Sequence, residues 1–201
     1  MHGDAVAKTN PTRIPGRWRE GYALDLHTVS STFVGDDEYG HPVFDTKRSE
    51  LGELLLRLKY RSDSSVVDEL AAAATAFLRE WNPRVDFILP VPPSRSRPQQ
   101  PVLALAQAIG VRAAIPLRLD CIRRAKQVPE LKNVFEYTRR LQLLQGAHTV
   151  EQAVVEGRRV LLFDDLFRSG ATMNSISAAL YDQGHAAEVF ALTITRTRSK
   201  E

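Results

Sequence analysis

The sequence predicts an α/β fold with a mostly parallel sheet. Two strongly apolar stretches, residues 85–91 with a single aspartate and residues 160–163 with no polar residue, are typical of strands that are buried on both faces, as in parallel sheets. Segments with apolar residues at helical spacing lie between and after them, which indicates strands connected by helices. With 201 residues and 43% hydrophobic content, the chain is long enough to bury one sizeable core. We therefore expect one main domain with an appendage.

The first 48 residues form that appendage. Residues 1–16 are polar and contain two prolines, so we expect a disordered arm. Residues 17–48 are predicted to form a hairpin region. A loose apolar alternation over residues 22–34 indicates its first strand, and residues 43–44 return as the second arm after a turn-rich loop.

The main domain is predicted to span residues 49–201 and to begin with two helices. Ser49 is a candidate N-cap for the first helix, whose apolar stripe is leucine-rich, and Asp63 is a candidate cap for the second. The second helix is expected to end at Asn82, just before a proline. The apolar residues of both helices are interpreted as core.

The strand and helix alternation continues towards the C-terminus. A helix is predicted over residues 98–109, closed by Gly110, and a strand over residues 111–117. Residues 118–147 are rich in Arg and Lys and contain few apolar anchors, so we predict a basic hood over the sheet edge. The last strand is predicted over residues 188–195.

The composition limits the classes of ligand and the cellular compartment that we expect for this protein. The formal net charge of +3 and the pI near 9.2 are mildly basic, which suits an anionic small molecule or a weak nucleic-acid contact. Cys121 is the only cysteine, so we expect neither a disulfide nor a cysteine zinc site, in keeping with a reducing compartment. No apolar stretch approaches ~20 residues and no hydrophobic signal core is present. We therefore expect a cytoplasmic protein without a membrane span.

The most informative stretch follows the strand at residues 160–163. Asp164 and Asp165 come where that strand must leave the core, and a small-residue loop then leads into a helix N-terminus. Two adjacent carboxylates can accept hydrogen bonds from the vicinal hydroxyls of a sugar, while hydroxyls and free backbone amides can hold a phosphate. A ribose 5-phosphate fits that combination. The candidate phosphate contacts are the hydroxyls of Ser169 and Thr172 and the nearby backbone amides.

A second anion-binding loop is predicted after residue 91. Pro93, Ser94 and Arg95 belong to a rigid, proline-rich turn that carries hydroxyls and guanidiniums, which can wrap a diphosphate. In a parallel sheet this loop and the two aspartates emerge at the same edge. An exposed structural turn is the alternative reading of this loop.

The stretch from residue 160 to 172 resembles the phosphoribosyl pyrophosphate (PRPP) motif of type I phosphoribosyltransferases. The resemblance implies a Rossmann-like, mostly parallel sheet of that family's kind, with a hood. It also implies that Asp164 and Asp165 meet the ribose hydroxyls. By the same resemblance the 5-phosphate is wrapped by Arg168, Ser169, Gly170, Ala171 and Thr172. Arg168 departs from the motif, because a small or hydroxyl residue is common at that position.

The order of several short motifs further resembles the ComF-type phosphoribosyltransferases. These motifs are Leu58-Lys59-Tyr60-Arg61, Pro90-Val91-Pro92, residues 140–147 and the Asp-Asp loop. The family's N-terminal four-cysteine zinc element is missing from this sequence. The resemblance implies that basic residues of the hood reach the pyrophosphate, and the candidates are Arg123, Arg124, Lys126 and Arg140.

The resulting functional hypothesis is transfer of a phosphoribosyl group from PRPP to an unknown acceptor, with release of pyrophosphate. Mg²⁺ is the expected cofactor because a hard cation bridges diphosphate oxygens, with contacts to Asp164 and Asp165 through water. A homodimer is expected from the resemblance. The alternatives are a non-catalytic sensor of PRPP or nucleotides, linked to nucleic-acid uptake or regulation, and a nucleic-acid-binding module based on the basic hood.

Overall fold

The computed structural model describes residues 7–93, 100–125, 136–144 and 146–198. Nine strands and six helices lie in these ranges. The strands are β1 (Thr12–Arg13), β2 (Glu20–Leu26), β3 (Thr28–Asp36), β4 (Pro42–Arg48), β5 (Phe87–Pro90), β6 (Ile122–Arg124), β7 (His148–Val150), β8 (Arg159–Phe167) and β9 (Glu188–Arg196). The helices are α1 (Glu50–Tyr60), α2 (Val67–Trp81), α3 (Pro101–Ala113), α4 (Tyr137–Leu144), α5 (Gln152–Val155) and α6 (Ala171–Asp182).

A five-stranded sheet organises the described chain in the order β1-β2-β9-β8-β5. Strands β2, β9, β8 and β5 are parallel, and only the short edge strand β1 runs antiparallel to its neighbour. This arrangement confirms the predicted α/β fold with a mostly parallel sheet. All carboxyl ends of the parallel strands therefore lie at one edge.

Helices cover both faces of the sheet, so its central strands are buried on both sides. Alternate residues of β8 belong to different cores: Leu161 and Phe163 pack with α1, α2 and α3, whereas Val160 and Leu162 pack with α6. All four side chains are fully buried. This two-sided burial explains why the strand has no polar alternation.

The N-terminal segment differs from the predicted disordered arm. Within the described part, Ala7 and Ile14 are each only 3% exposed, and Thr12–Arg13 pairs with β2 as an edge strand. The Arg17 guanidinium also pairs with Asp182 on α6 at 2.5 Å. The two buried apolar side chains and the pairing with β2 hold this segment against the core, although its composition is polar.

The strand predicted over residues 22–34 is two strands that belong to two different sheets. The first, β2, joins the main sheet beside β9, and the second, β3, begins after His27. The backbone amide of His27 donates to the Arg196 carbonyl at 2.7 Å, and the Ser49 hydroxyl donates to the Leu26 carbonyl. These bonds hold the end of β2 against β9 and α1, so the chain turns at His27.

Strands β3 and β4 form the separate antiparallel hairpin that was expected between residues 17 and 48. Both strands are mostly exposed, and Phe33 and Phe44 pack edge to face with their ring centroids 5.7 Å apart. The second arm is longer than predicted and runs from Pro42 to Arg48.

The strand predicted over residues 111–117 is wrong. Helix α3 continues through Gly110 to Ala113, and only Leu117 makes a single bridge to Ile88. A Cβ on Gly110 would lie 2.9 Å from the Ile115 carbonyl oxygen, so this glycine allows the returning chain to pack closely rather than ending the helix.

The described part of the predicted hood contains a small antiparallel sheet and a helix. Strand β6 pairs with β7, and α4 packs against the N-terminal half of α6. Residues 126–135 and 145 lie outside the described residues. None of the helices in the described ranges is long and apolar enough to cross a membrane.

Candidate functional site

The candidate site lies at the carboxyl edge of the sheet, where β8 extends beyond its neighbour β5. Strand β5 ends at Pro90, which pairs with Phe163, whereas β8 continues on the β9 side to Phe167. Asp164 and Asp165 belong to this extension and are therefore still part of the strand. The sequence predicts that these residues follow the strand at its exit from the core, whereas β8 continues past them to the buried Phe167.

The two carboxylates are held by different groups. The Asp165 amide donates to the Asp164 carboxylate at 2.8 Å, and the Lys59 ammonium donates to the Asp165 carboxylate at 2.8 Å. Asp165 is 9% exposed and Asp164 is partly buried. Burial raises the pKa of Asp164, the adjacent Asp165 carboxylate raises it further, and Lys59 acts in the opposite direction. The Asp164 carboxyl therefore keeps its proton to a higher pH than an ordinary aspartate does.

Lys59 is a site residue that the sequence analysis did not identify as one. It comes from the last turn of α1, 106 residues before its partner. The residue was part of the short Leu58-Lys59-Tyr60-Arg61 motif, but a lysine near a helix C-terminus is common because it complements the helix dipole. Only the fold shows that this side chain reaches the two aspartates.

The loop that follows β8 has the geometry of a phosphate-binding helix N-terminus. Gly170 is the N-cap of α6 with φ at 72°, and a Cβ there would lie 2.6 Å from the Phe167 ring. No side chain caps this helix, and its first turn contains no acidic residue. The backbone amides of Ala171 and Thr172 therefore lack intrahelical partners and can donate to an anion.

A cationic side chain from the hood lies at the same loop. The Arg140 guanidinium donates to the Ser169 hydroxyl at 2.7 Å. Arg140 was expected at the pyrophosphate, but in this structure it lies at the loop predicted to bind the 5-phosphate. The Arg168 side chain is exposed, and its carbonyl accepts from the Thr197 hydroxyl at 3.4 Å. Arg168 therefore does not fill the space between the loop and α6.

Of the remaining predicted site residues, three lie in the described part of the chain. Pro93 follows β5 at the same sheet edge, close to where the Val91 amide donates to the Phe163 carbonyl at 2.8 Å. Arg123 lies on β6 with an exposed side chain, and its backbone pairs with Thr149. The backbone of Arg124 pairs with His148. Ser94, Arg95 and Lys126 lie outside the described residues.

His27 adds a titratable group beside this edge. Its imidazole Nδ1 lies 3.2 Å from the Thr195 hydroxyl oxygen, at the end of β9. Burial lowers the pKa of His27, as do the positive charges of Lys59, Arg48 and Arg168, whereas Asp165 raises it. His27 is therefore neutral at physiological pH. No sequence pattern associates His27 with the two aspartates.

The arrangement combines two functions on adjacent segments of the chain. The paired carboxylates offer hydrogen-bond acceptors, and the loop and helix that follow offer backbone donors, hydroxyls and a guanidinium. In the described part of the chain, no group of three or more His, Cys, Asp or Glu side chains could hold a metal ion. Such a site suits a polyhydroxylated ligand that carries its own phosphate.

The chain is similar in sequence to a competence protein. It is 26% identical over 159 residues to competence protein ComFC from Bacillus subtilis strain 168, and the match covers 76% of this chain and 62% of that relative. The chain thus spans less than two thirds of the relative's length. No protein-family model matches the chain. The sequence comparison confirms the resemblance to ComF-type proteins.

Solved structures with a similar arrangement include phosphoribosyltransferases. Adenine phosphoribosyl transferase from Trypanosoma brucei gives a TM-score of 0.49 at 14% identity, covering 94% of this chain and 75% of that one. The adenine enzyme from Saccharomyces cerevisiae gives 0.44 at 13% identity, with coverage of 83% and 85%. Orotate phosphoribosyltransferase from Aeropyrum pernix gives 0.41 at 15% identity, with coverage of 85% and 76%. The fold assignment rests on the sheet order and strand directions of this chain.

Proposed function

We propose that the chain binds PRPP and transfers its phosphoribosyl group to an acceptor, with release of pyrophosphate. The observation that carries this proposal is the continuity of β8, its two carboxylates, the uncapped N-terminus of α6 and the Arg140–Ser169 contact. A sugar phosphate bound along this path would meet acceptors at one end and donors at the other. The sequence similarity to competence protein ComFC supports the resemblance to ComF-type phosphoribosyltransferases on which this proposal draws.

The reaction would proceed through a ribosyl oxocarbenium ion, so the protein must hold the sugar still and stabilise positive charge at C1′. Asp164 and Asp165 would accept hydrogen bonds from the ribose hydroxyls and place negative charge beneath the ring. The amides of Ala171 and Thr172, together with Ser169, would bind the 5-phosphate. The C1′–O bond would break with its electron pair leaving on pyrophosphate, and a lone pair of the acceptor would form the new bond to C1′. A proton carried by the acceptor atom would leave to solvent.

Mg²⁺ is part of the proposal through the substrate. A carboxylate pair fits a hard, oxygen-preferring cation, but the described residues form no complete metal cage, so the ion would arrive with the diphosphate. When bound, it would neutralise the diphosphate leaving group. Ser94, Arg95 and Lys126 remain predicted diphosphate contacts. A homodimer and a cytoplasmic location also remain predictions.

A non-catalytic PRPP sensor is the second candidate. The observation that favours it is the similarity to a competence protein, whose name specifies no enzymatic activity. Both candidates require the same PRPP site, so binding cannot separate them. Magnesium-dependent release of pyrophosphate in the presence of candidate acceptors would indicate transfer, whereas binding without release would indicate a sensor.

The binding test is calorimetric titration of PRPP with Mg²⁺ into the wild type and into Asp164→Asn/Asp165→Asn. A charge-matched control is Asp36→Asn/Asp45→Asn, which removes two exposed carboxylates of the β3–β4 hairpin. We expect binding to the wild type and the control and loss of binding in the site variant. No binding to a folded wild type would refute the proposal.

A further inference from the structure

Lys59 makes a largely buried ion pair, and the free energy needed to remove its two charges from water requires an explanation. Its ammonium donates to Asp165 Oδ1 at 2.8 Å, and the two side chains are only 19% and 12% exposed. Withdrawing both charges from water costs free energy that their mutual attraction does not fully return. A pair of this kind is therefore weak evidence for a purely stabilising role.

Helix α1 does not need the ion pair to hold its position. Leu51, Leu55 and Leu58 are each at most 2% exposed in the core beneath the helix. Ser49 caps the helix by accepting from the Gly52 amide at 3.0 Å and by donating to the Leu26 carbonyl. The apolar stripe and the cap anchor α1 at its beginning and along its length. The ion pair of Lys59 is therefore not required to hold the helix in place.

The charge of Lys59 acts on two carboxylates that are adjacent in the chain. Two neighbouring carboxylates repel each other when both are ionised, and burial intensifies that repulsion. Lys59 counters it directly at Asp165 and through space at Asp164, where it opposes the upward shift of the pKa. A protonated Asp164 would accept fewer hydrogen bonds from a sugar.

The other titratable and cationic side chains near the two aspartates do not take over the ion pair that Lys59 makes. His27 faces this region from the end of β2, Arg48 from the end of β4, and Arg168 from the loop after β8. His27 is neutral at physiological pH because burial and the nearby cations lower its pKa. Among the described residues, Lys59 is the cation that makes an ion pair with either aspartate.

We propose that Lys59 is a positioning residue of the ribose site, which fixes the Asp165 carboxylate for the sugar and offsets the mutual repulsion of the Asp164–Asp165 pair. This inference rests on the proposed function, because it takes the two aspartates as the groups that meet the ribose. Lys59 contacts the Asp165 carboxylate, so its effect on the bound sugar is indirect.

The first experiment needs no ligand. Carbon-13 NMR of labelled aspartate carboxyls, recorded against pH, follows the protonation of Asp164 in the wild type, Lys59→Met, Lys59→Arg and Lys47→Met. Lys47 is an exposed lysine on β4, so Lys47→Met matches the charge change. We expect a higher titration midpoint in Lys59→Met and a near wild-type midpoint in the other two variants. An unchanged midpoint in folded Lys59→Met overturns the inference.

The second experiment measures the pH dependence of PRPP binding with Mg²⁺ in the same proteins. In Lys59→Met we expect binding about tenfold weaker at neutral pH, as one unit of pKa displacement would give, with recovery at alkaline pH. Lys59→Arg keeps the positive charge and should bind PRPP about as well as the wild type does. An equal loss at every pH would overturn the positioning role and indicate a direct contact or damaged fold instead. If the wild type does not bind PRPP, the proposed function fails, while the NMR titration still decides the role of Lys59.

Discussion

Arg140, in the hood helix α4, donates a hydrogen bond of 2.7 Å to the hydroxyl of Ser169, in the loop that begins α6. The two residues are 29 positions apart and connect the hood to the candidate phosphate-binding loop. The contact orients a guanidinium beside the uncapped helix N-terminus, where an anion is favoured. It holds α4 next to one end of the candidate site.

Arg140→Ala should weaken the binding of PRPP with Mg²⁺ by roughly tenfold, because hydrogen bonds to charged groups contribute about 1.5–3 kcal/mol and partial exposure reduces that value. Ser169→Ala should weaken it less. Calorimetry on both variants and on the double variant measures their coupling. Arg79→Ala, at an exposed position on α2, is the charge-matched control and should bind as the wild type does. Strictly additive losses would contradict a functional contact between the two residues.

Asp164 should make the free energy of unfolding fall as pH rises. Its pKa in the folded state is raised above the ordinary value of 3.8, so the folded protein binds a proton that the unfolded chain has released. The stabilisation is complete below pH about 4 and is lost as pH rises through the folded-state pKa. Thermal unfolding of the wild type and Asp164→Asn between pH 5 and pH 9 measures this effect.

The Asp164→Asn variant should become relatively more stable than the wild type towards the alkaline end of that range, since it carries no buried charge at this position. Its amide oxygen can still accept the bond from the Asp165 amide. Asp36→Asn, which alters an exposed carboxylate, should leave the pH dependence unchanged. A constant difference between Asp164→Asn and the wild type across the pH range would show that the pKa is not raised.

Cys121 should react very slowly with thiol reagents in the folded protein. Its side chain is buried, and burial together with the neighbouring Asp120 raises the pKa of the thiol to about 12. Because the thiolate is the reactive species, alkylation by iodoacetamide at pH 8 should be slow until the protein is unfolded in denaturant. Fast labelling of the native protein would show that β6 and its surroundings open readily.

The sequence was sufficient to predict the central strand and the loop that leads into α6, because both depend on local chemistry. The apolar residues of β8 are buried on both faces whatever the neighbouring strand is, and Gly170 occupies a turn that requires positive φ. The position of β2 depended on a partner that follows it by about 170 residues, β9. No local pattern could show that its pairing with β9 ends at His27.

The contribution of Lys59 could not be predicted for a similar reason. A lysine in the last turn of a helix satisfies the helix dipole in any context, so its residue type carries little information about its partner. Its ion pair with Asp165 requires the carboxyl edge of β8 to lie beside the end of α1. The strand predicted over residues 111–117 was wrong because Gly110 was interpreted as a helix end, whereas its role is the close approach of the Ile115 carbonyl.

Gly170→Ala should destabilise the protein and impair PRPP binding, and Gly157→Ala provides a matched control. Both glycines have positive φ, 72° and 67°, so each substitution should cost about 1–2 kcal/mol in backbone strain. A Cβ at position 170 would also lie 2.6 Å from the Phe167 ring, whereas position 157 has no atom within 4 Å. The clash should add about 1–3 kcal/mol, measured by denaturant unfolding, and should displace the amides that we propose bind the 5-phosphate. Equal losses of stability in the two variants, with PRPP binding retained in both, would mean that the loop tolerates a side chain at its N-cap and that its close packing on Phe167 does not shape the site.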